Sequence, residues 1–94
     1  MKAIWNNKVI AESNETISLE GNEYFPPDSV KKEFLNPSDH HTVCPWKGEA
    51  SYYDVVVDGK TNKNAAWYYP EPSEDVSHIK GWVAFDEKVT VTED

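Results

Sequence analysis

Turn-forming residues divide this chain into short segments, and that spacing constrains its fold more than any other feature. Asn6-Asn7, Gly21-Asn22, Pro26-Pro27, Asn36-Pro37 and Asp58-Gly59 fall between brief apolar or alternating runs. Asn and Gly tolerate the positive φ of tight hairpin turns, and Pro cannot continue a central strand. Residues 2–5 and 8–11 read as two strands joined at Asn6-Asn7, and residues 16–19 as a third. Residues 49–57, rich in aromatic and β-branched side chains, form the strongest strand signal and close on Asp58-Gly59. Residues 65–69, 82–85 and 89–92 add three more strands, and residues 42–46 give another, interrupted by Pro45. Asp28-Ser29 caps a short helix over residues 28–35 that ends at Asn36-Pro37, and residues 73–80 supply one or two helical turns before Gly81. The expected class is mainly β, a curled sheet or small sandwich with one or two short helices. At 94 residues the chain has room for one domain, residues 1–94.

Two registers fit the strands around Asp58-Gly59. A two-residue turn sets Trp67 opposite Ala50 and Tyr69 opposite Gly48, whereas a longer loop through Asn64 sets Trp67 opposite Val55 and Tyr69 opposite Tyr53. Trp67 and Tyr69 share a face in both, because side chains alternate along a strand.

Charge narrows the partners. Seventeen acidic residues against nine basic ones give a formal net charge of −8, and all nine basic residues are lysine. Arginine is the usual residue for bidentate phosphate recognition and for stacking on bases, so an acidic, arginine-free chain is poorly suited to nucleic acid. It also lacks the basic patch that an anionic membrane attracts. Cys44 is the single cysteine, which excludes an intramolecular disulfide, and the N-terminus carries no apolar targeting segment. These features lead to an expectation of a cytoplasmic protein.

From Cys44 onward the sequence becomes distinctive. Cys44-Pro45-Trp46-Lys47-Gly48-Glu49-Ala50-Ser51-Tyr52-Tyr53 is followed by Ala65-Ala66-Trp67-Tyr68-Tyr69-Pro70-Glu71-Pro72 and by Ile79-Lys80-Gly81-Trp82-Val83-Ala84-Phe85. Together with Tyr24-Phe25-Pro26, these blocks resemble the domain of unknown function 427 family over nearly the whole chain. The resemblance implies a small β domain of the β-tent group, which includes methionine sulfoxide reductase B, the Mss-like chaperones and the drug-binding domain of cereblon. Many β-tent proteins hold a structural zinc on two Cys-x-x-Cys pairs, a site this single-cysteine chain lacks. A nucleotidyltransferase label sometimes attached to the family finds no support in the residues. There is no Gly-Ser with paired acidic metal ligands, no Gly-rich phosphate loop and no arginine.

Three functional readings follow, each beside a structural one. Four Trp, five Tyr and three Phe make the chain rich in rings. In the leading reading Trp46, Tyr52, Trp67 and Tyr69, with Trp82 in the same set, line a pocket that stacks a small planar metabolite. Lys47 beside Gly48 then presents an ammonium next to closely approaching backbone. The structural counterpart is an aromatic core, with Lys47 solvated at a bulge. In the second reading Cys44 is a nucleophile, its thiolate favoured by His41 and Lys47; otherwise it is a small buried apolar residue. The third is a protein-interaction surface built on exposed rings, with the partner unspecified. Asp39, His40, His41 and Cys44 match no metal-site spacing, so no metal and no other cofactor is expected. His78 stands alone and reads as a surface residue.

Overall fold

The computed structural model describes residues 1–93. Its nine strands are β1 (Lys2–Trp5), β2 (Lys8–Glu12), β3 (Ile17–Leu19), β4 (Asn22–Tyr24), β5 (Leu35–Cys44), β6 (Gly48–Val57), β7 (Lys60–Tyr68), β8 (Val83–Phe85) and β9 (Thr90–Thr92). They form three antiparallel sheets, in the orders β2-β1-β9, β3-β4 and β5-β6-β7-β8. The architecture is mainly β, as the turn spacing predicts.

Three two-residue hairpins carry left-handed φ at both central residues: Asn6-Asn7, Glu20-Gly21 and Asp58-Gly59. That conformation matches the right-handed twist of the flanking strands, which is why Asn, Asp and Gly cluster there. The second turn falls one residue earlier than Gly21-Asn22, placing Glu20 at its tip.

The stretch from Asp28 to Trp46 differs from expectation. Residues 28–35 do not make a helix; Pro27–Ser29 and Lys32–Phe34 are single 3-10 turns, and Leu35 already begins β5. Strand β5 then runs through Asn36-Pro37 instead of stopping there. It lies at the edge of its sheet, where the missing N–H of Pro37 removes no ladder bond. The segment of residues 42–46 is therefore the end of a ten-residue strand plus the turn that follows it. Residues 73–80 form 3-10 turns over Glu74–Ile79, kinked at Val76.

The register of β6 with β7 is neither of the two anticipated. The Asp58-Gly59 turn is tight, with Val57 opposite Lys60, but Trp67 pairs with Tyr52 and Ala66 with Tyr53. Residues 63–65 face the single residue Asp54, so two extra residues bulge from β7. Strand β5 bulges at the same level: Pro37 pairs with Tyr53 and His41 with Ser51, leaving residues 38–40 opposite Tyr52.

The four-stranded sheet packs apolar side chains on both faces, while most of its edge strand β5 is exposed. One face packs Leu35, Val55, Val57, Ala65, Ala66 and Phe85 against Ala3, Ile10 and Ala11 of the first sheet. The other places Ala50, Ala84, Tyr52 and Trp67 against Tyr24, Val76 and Ile79, with Ile17, Leu19 and Trp82 around the margin. Trp67 and Tyr69 share this second cluster, as alternation requires. Small residues at positions 50 and 84 leave room for the large rings.

Candidate functional site

The Cys44–Gly48 turn links β5 to β6 and carries the densest chemistry in the sequence. The Lys47 N–H bonds the Cys44 carbonyl at 3.2 Å and closes the turn. Ser73 ties it to the following segment, its N–H reaching the Lys47 carbonyl at 3.0 Å and its hydroxyl the Trp46 carbonyl at 2.7 Å. Gly48 has φ +114°, and a Cβ there would lie 3.2 Å from the Glu71 carbonyl oxygen. Only glycine allows this approach without strain.

Lys47 is 6% exposed, not solvated. Its ammonium bonds and ion-pairs with the Glu20 carboxylate at the tip of the β3–β4 hairpin. It also lies 5.4 Å from the ring centroids of both Trp46 and Tyr69. Burial alone lowers the Lys47 pKa. The hydrogen bond it donates to Glu20, the neighbouring Tyr24 and Tyr69, and the Glu20 charge outweigh it, and the net shift is upward from the ordinary lysine value. This lysine is a strut joining the hairpin to the sheet, and its charge is already matched.

The remaining expected site residues separate into groups. Tyr69 is buried and its pKa raised, first by burial, against the opposing charge of Lys47. Cys44 is half-buried at the edge of the second cluster. His41 lies three positions away on the same strand, so the two side chains leave opposite faces of the sheet; its Nδ1 sits 3.3 Å from the Ser51 hydroxyl. The structure therefore does not gather Cys44, His41 and Lys47 into one constellation. Trp46 is 43% exposed beside its capped lysine.

Tyr52 and Trp67 do meet. Their centroids are 6.2 Å apart, both rings are half-buried, and the Trp67 indole N–H bonds the Tyr24 hydroxyl at 3.3 Å. The Tyr52 hydroxyl lies 3.1 Å from that of Thr42, and the exposed His40 ring packs edge-on at 4.6 Å.

His40 also lines a polar cleft of about 290 Å³ formed by the paired bulges. Ser38 donates to Asn64 Oδ1 at 2.5 Å, tying β5 to β7 across β6. The Asn64 N–H bonds Asp54 Oδ1 at 2.8 Å. Asn64 adopts φ +53°, a conformation Asn tolerates. Asp39 and Lys63 complete the walls. Sequence reasoning did not select Ser38, Asp39, His40, Asp54, Lys63 or Asn64 as binding residues. The available signal was the polar run of residues 60–64, read only as a possible longer loop.

A wider cleft of about 410 Å³ lies elsewhere, between the Gly21–Glu23 segment and the Phe85–Glu87 segment. None of the expected ring residues lines either cleft. No helix among the described residues is long and apolar enough to cross a membrane.

A family model described as "Domain of unknown function (DUF427)" matches residues 1–94, and the chain belongs to that family. No curated protein matches it.

Proposed function

Since membership of this family brings no activity with it, we propose that the protein is a small-molecule binding domain that lays a small ring-shaped metabolite along Tyr52 and Trp67. The carrying observation is that this half-buried ring pair continues through His40 into a cleft lined with polar side chains. Rings bind flat or ring-shaped solutes by contact area, and a few placed polar groups set orientation. Lys47 is not the anchor in this reading, because Glu20 already neutralises it. The polar contacts come from the bulges instead. Binding is favoured over catalysis because Cys44 and His41 leave opposite faces of β5, and the contact of His41 with the Ser51 hydroxyl lies on the face of β6 away from the Tyr52 ring.

A metabolite panel tests the reading through intrinsic tryptophan fluorescence and the amide resonances of Tyr52 and Trp67. Saturable change at both, lost in Tyr52→Ala, is the expected result. Silence at both probes across a panel of planar, anionic and polyhydroxylated compounds overturns it.

A further inference from the structure

We infer that the paired-bulge cleft beside Tyr52 is a subsite for a neutral polyhydroxylated ring, a monosaccharide or a polyol of similar size; the inference rests on the binding reading above and narrows it to one ligand class.

The first argument is architectural. Strands β5 and β7 each carry two extra residues, and both insertions fall opposite the Tyr52–Asp54 stretch of β6. Bulges redirect side chains and are frequent beside active sites. Here two of them sit either side of one strand and are tied by the Ser38–Asn64 bond, which fixes the cleft before any ligand arrives. A fixed polar site lowers the ordering cost of binding.

The second argument is chemical. Asp39 and Asp54 line the cleft together with Lys63 and the His40 imidazole, so a charged ligand would meet side chains of like charge as well as of opposite charge. Asp54 keeps one carboxylate oxygen free of any partner among the described residues, and Asn64 keeps its amide nitrogen free likewise. An acceptor and a donor on neighbouring strands suit vicinal hydroxyls, each of which both donates and accepts. The His40 ring in the cleft wall, packed edge-on against Tyr52 just outside it, offers an apolar surface for the C–H face of a sugar ring.

The third argument is size. At about 290 Å³ the cleft lies just below the roughly 300–1,000 Å³ typical of sites for drug-sized ligands. It suits one ring, not a chain of them.

The test is an amide-resolved NMR titration of the intact protein with glucose, galactose, mannose and inositol. Parallel arms use galacturonate, glucosamine and a set of planar aromatic metabolites. The expected result is a saturable shift at residues 38–40, 63 and 64 with at least one neutral sugar or polyol. Asn64→Gly keeps the left-handed backbone while removing the side chain, and should weaken that binding about tenfold, the effect of one lost hydrogen bond to ligand. His40→Ala, at an exposed position, gives an independent second variant and should weaken it as well. If the neutral compounds leave these amides unmoved while planar or charged compounds shift Tyr52 and Trp67, the sugar assignment fails and the binding reading stands. If every compound leaves both sets unmoved, both fail. Sugar-induced shifts that persist unchanged in Asn64→Gly and His40→Ala also overturn the subsite.

Discussion

The Lys47–Glu20 pair should break asymmetrically, because its two members differ in exposure. The Lys47 side chain is 8% exposed and that of Glu20 is 46% exposed. Replacing Lys47 by Met retains most of the stem packing between the Trp46 and Tyr69 rings and leaves behind a carboxylate that water can solvate. The losses are the ion pair, discounted for the exposed partner, and two cation–ring contacts at 5.4 Å. The ion pair to a half-exposed carboxylate contributes about 0.2–1 kcal/mol and each of the two ring contacts about 0.5 kcal/mol, so Lys47→Met should cost about 1–2 kcal/mol. Glu20→Ala leaves an ammonium in a nearly closed site with the Trp46 and Tyr69 rings and the neutral hydroxyls of Tyr24 and Tyr69 beside it, and no countercharge. Removing one partner from a buried pair costs about 3–5 kcal/mol. A lysine can relieve some of this by extending toward water, so about 3 kcal/mol is expected. Both Glu and Ala meet the left-handed φ of +53° at position 20, so backbone strain largely cancels in the comparison. Urea denaturation of the two single variants and the double variant measures the difference. For a domain of this size, an excess of 1–2 kcal/mol lowers Tm by roughly 4–16 °C more in Glu20→Ala than in Lys47→Met. The double variant should resemble Lys47→Met alone, since no unpaired ammonium remains. A Lys47→Met loss equal to or larger than the Glu20→Ala loss would refute the reasoning and make the stem, not the charge, the stabilising part.

Alkaline pH should weaken the fold through three groups. The folded state raises the pKa of Lys47, of Tyr53 (first by burial, then by the neighbouring Tyr68) and of Tyr69. It therefore holds these protons where the unfolded chain has released them, and stability falls as pH rises in that window. Their contribution is complete below about pH 10 and declines above it; unfolding free energies flat from pH 9 to 11 would contradict this. Gly48→Ala should destabilise by about 1–3 kcal/mol, because φ +114° and the Glu71 carbonyl both oppose a Cβ. Gly59→Ala, at φ +79° with open space around it, should lose only about 1 kcal/mol; the opposite order in a thermal melt would show that turn conformation dominates the close approach. Tyr24→Phe removes the acceptor of the Trp67 indole N–H and should cost about 1 kcal/mol. An unchanged urea midpoint would mean that water replaces the hydroxyl.

What the sequence disclosed depended on how local each determinant is. Asn6-Asn7 and Asp58-Gly59 specify hairpins through their own backbone preferences, and both hairpins form where those pairs stand. Asn36-Pro37 misled for the complementary reason. A proline stops a segment only if its missing N–H was needed, and that depends on β5 lying at a sheet edge, which no neighbouring residue reveals. Trp46-Lys47-Gly48 looked like a ligand anchor because its partner, Glu20, is 27 residues distant and sits at the tip of a different hairpin. The same distance hid the polar cleft. Its walls come from β5 and β7, strands that meet only across β6, with Asp54 of β6 between them, and the Ser38–Asn64 bond spans 26 residues.

The two kinds of feature therefore exchange roles. The block with the most concentrated chemistry, Cys44 to Gly48, is occupied internally: its lysine is paired, its carbonyls are bonded to Ser73, and its glycine is pressed against Glu71. A residue whose bonding capacity is already used within the fold has little left for a ligand. The bulged segments and the β6 residue between them are chemically ordinary in sequence, yet they retain an unfilled acceptor on Asp54 and an unfilled donor on Asn64 near His40, whose ring contacts the half-buried Tyr52. Unused hydrogen-bonding capacity at a fixed position, not density of reactive residue types, is what favours the bulges over the Trp-Lys-Gly turn as the place where this fold meets a solute.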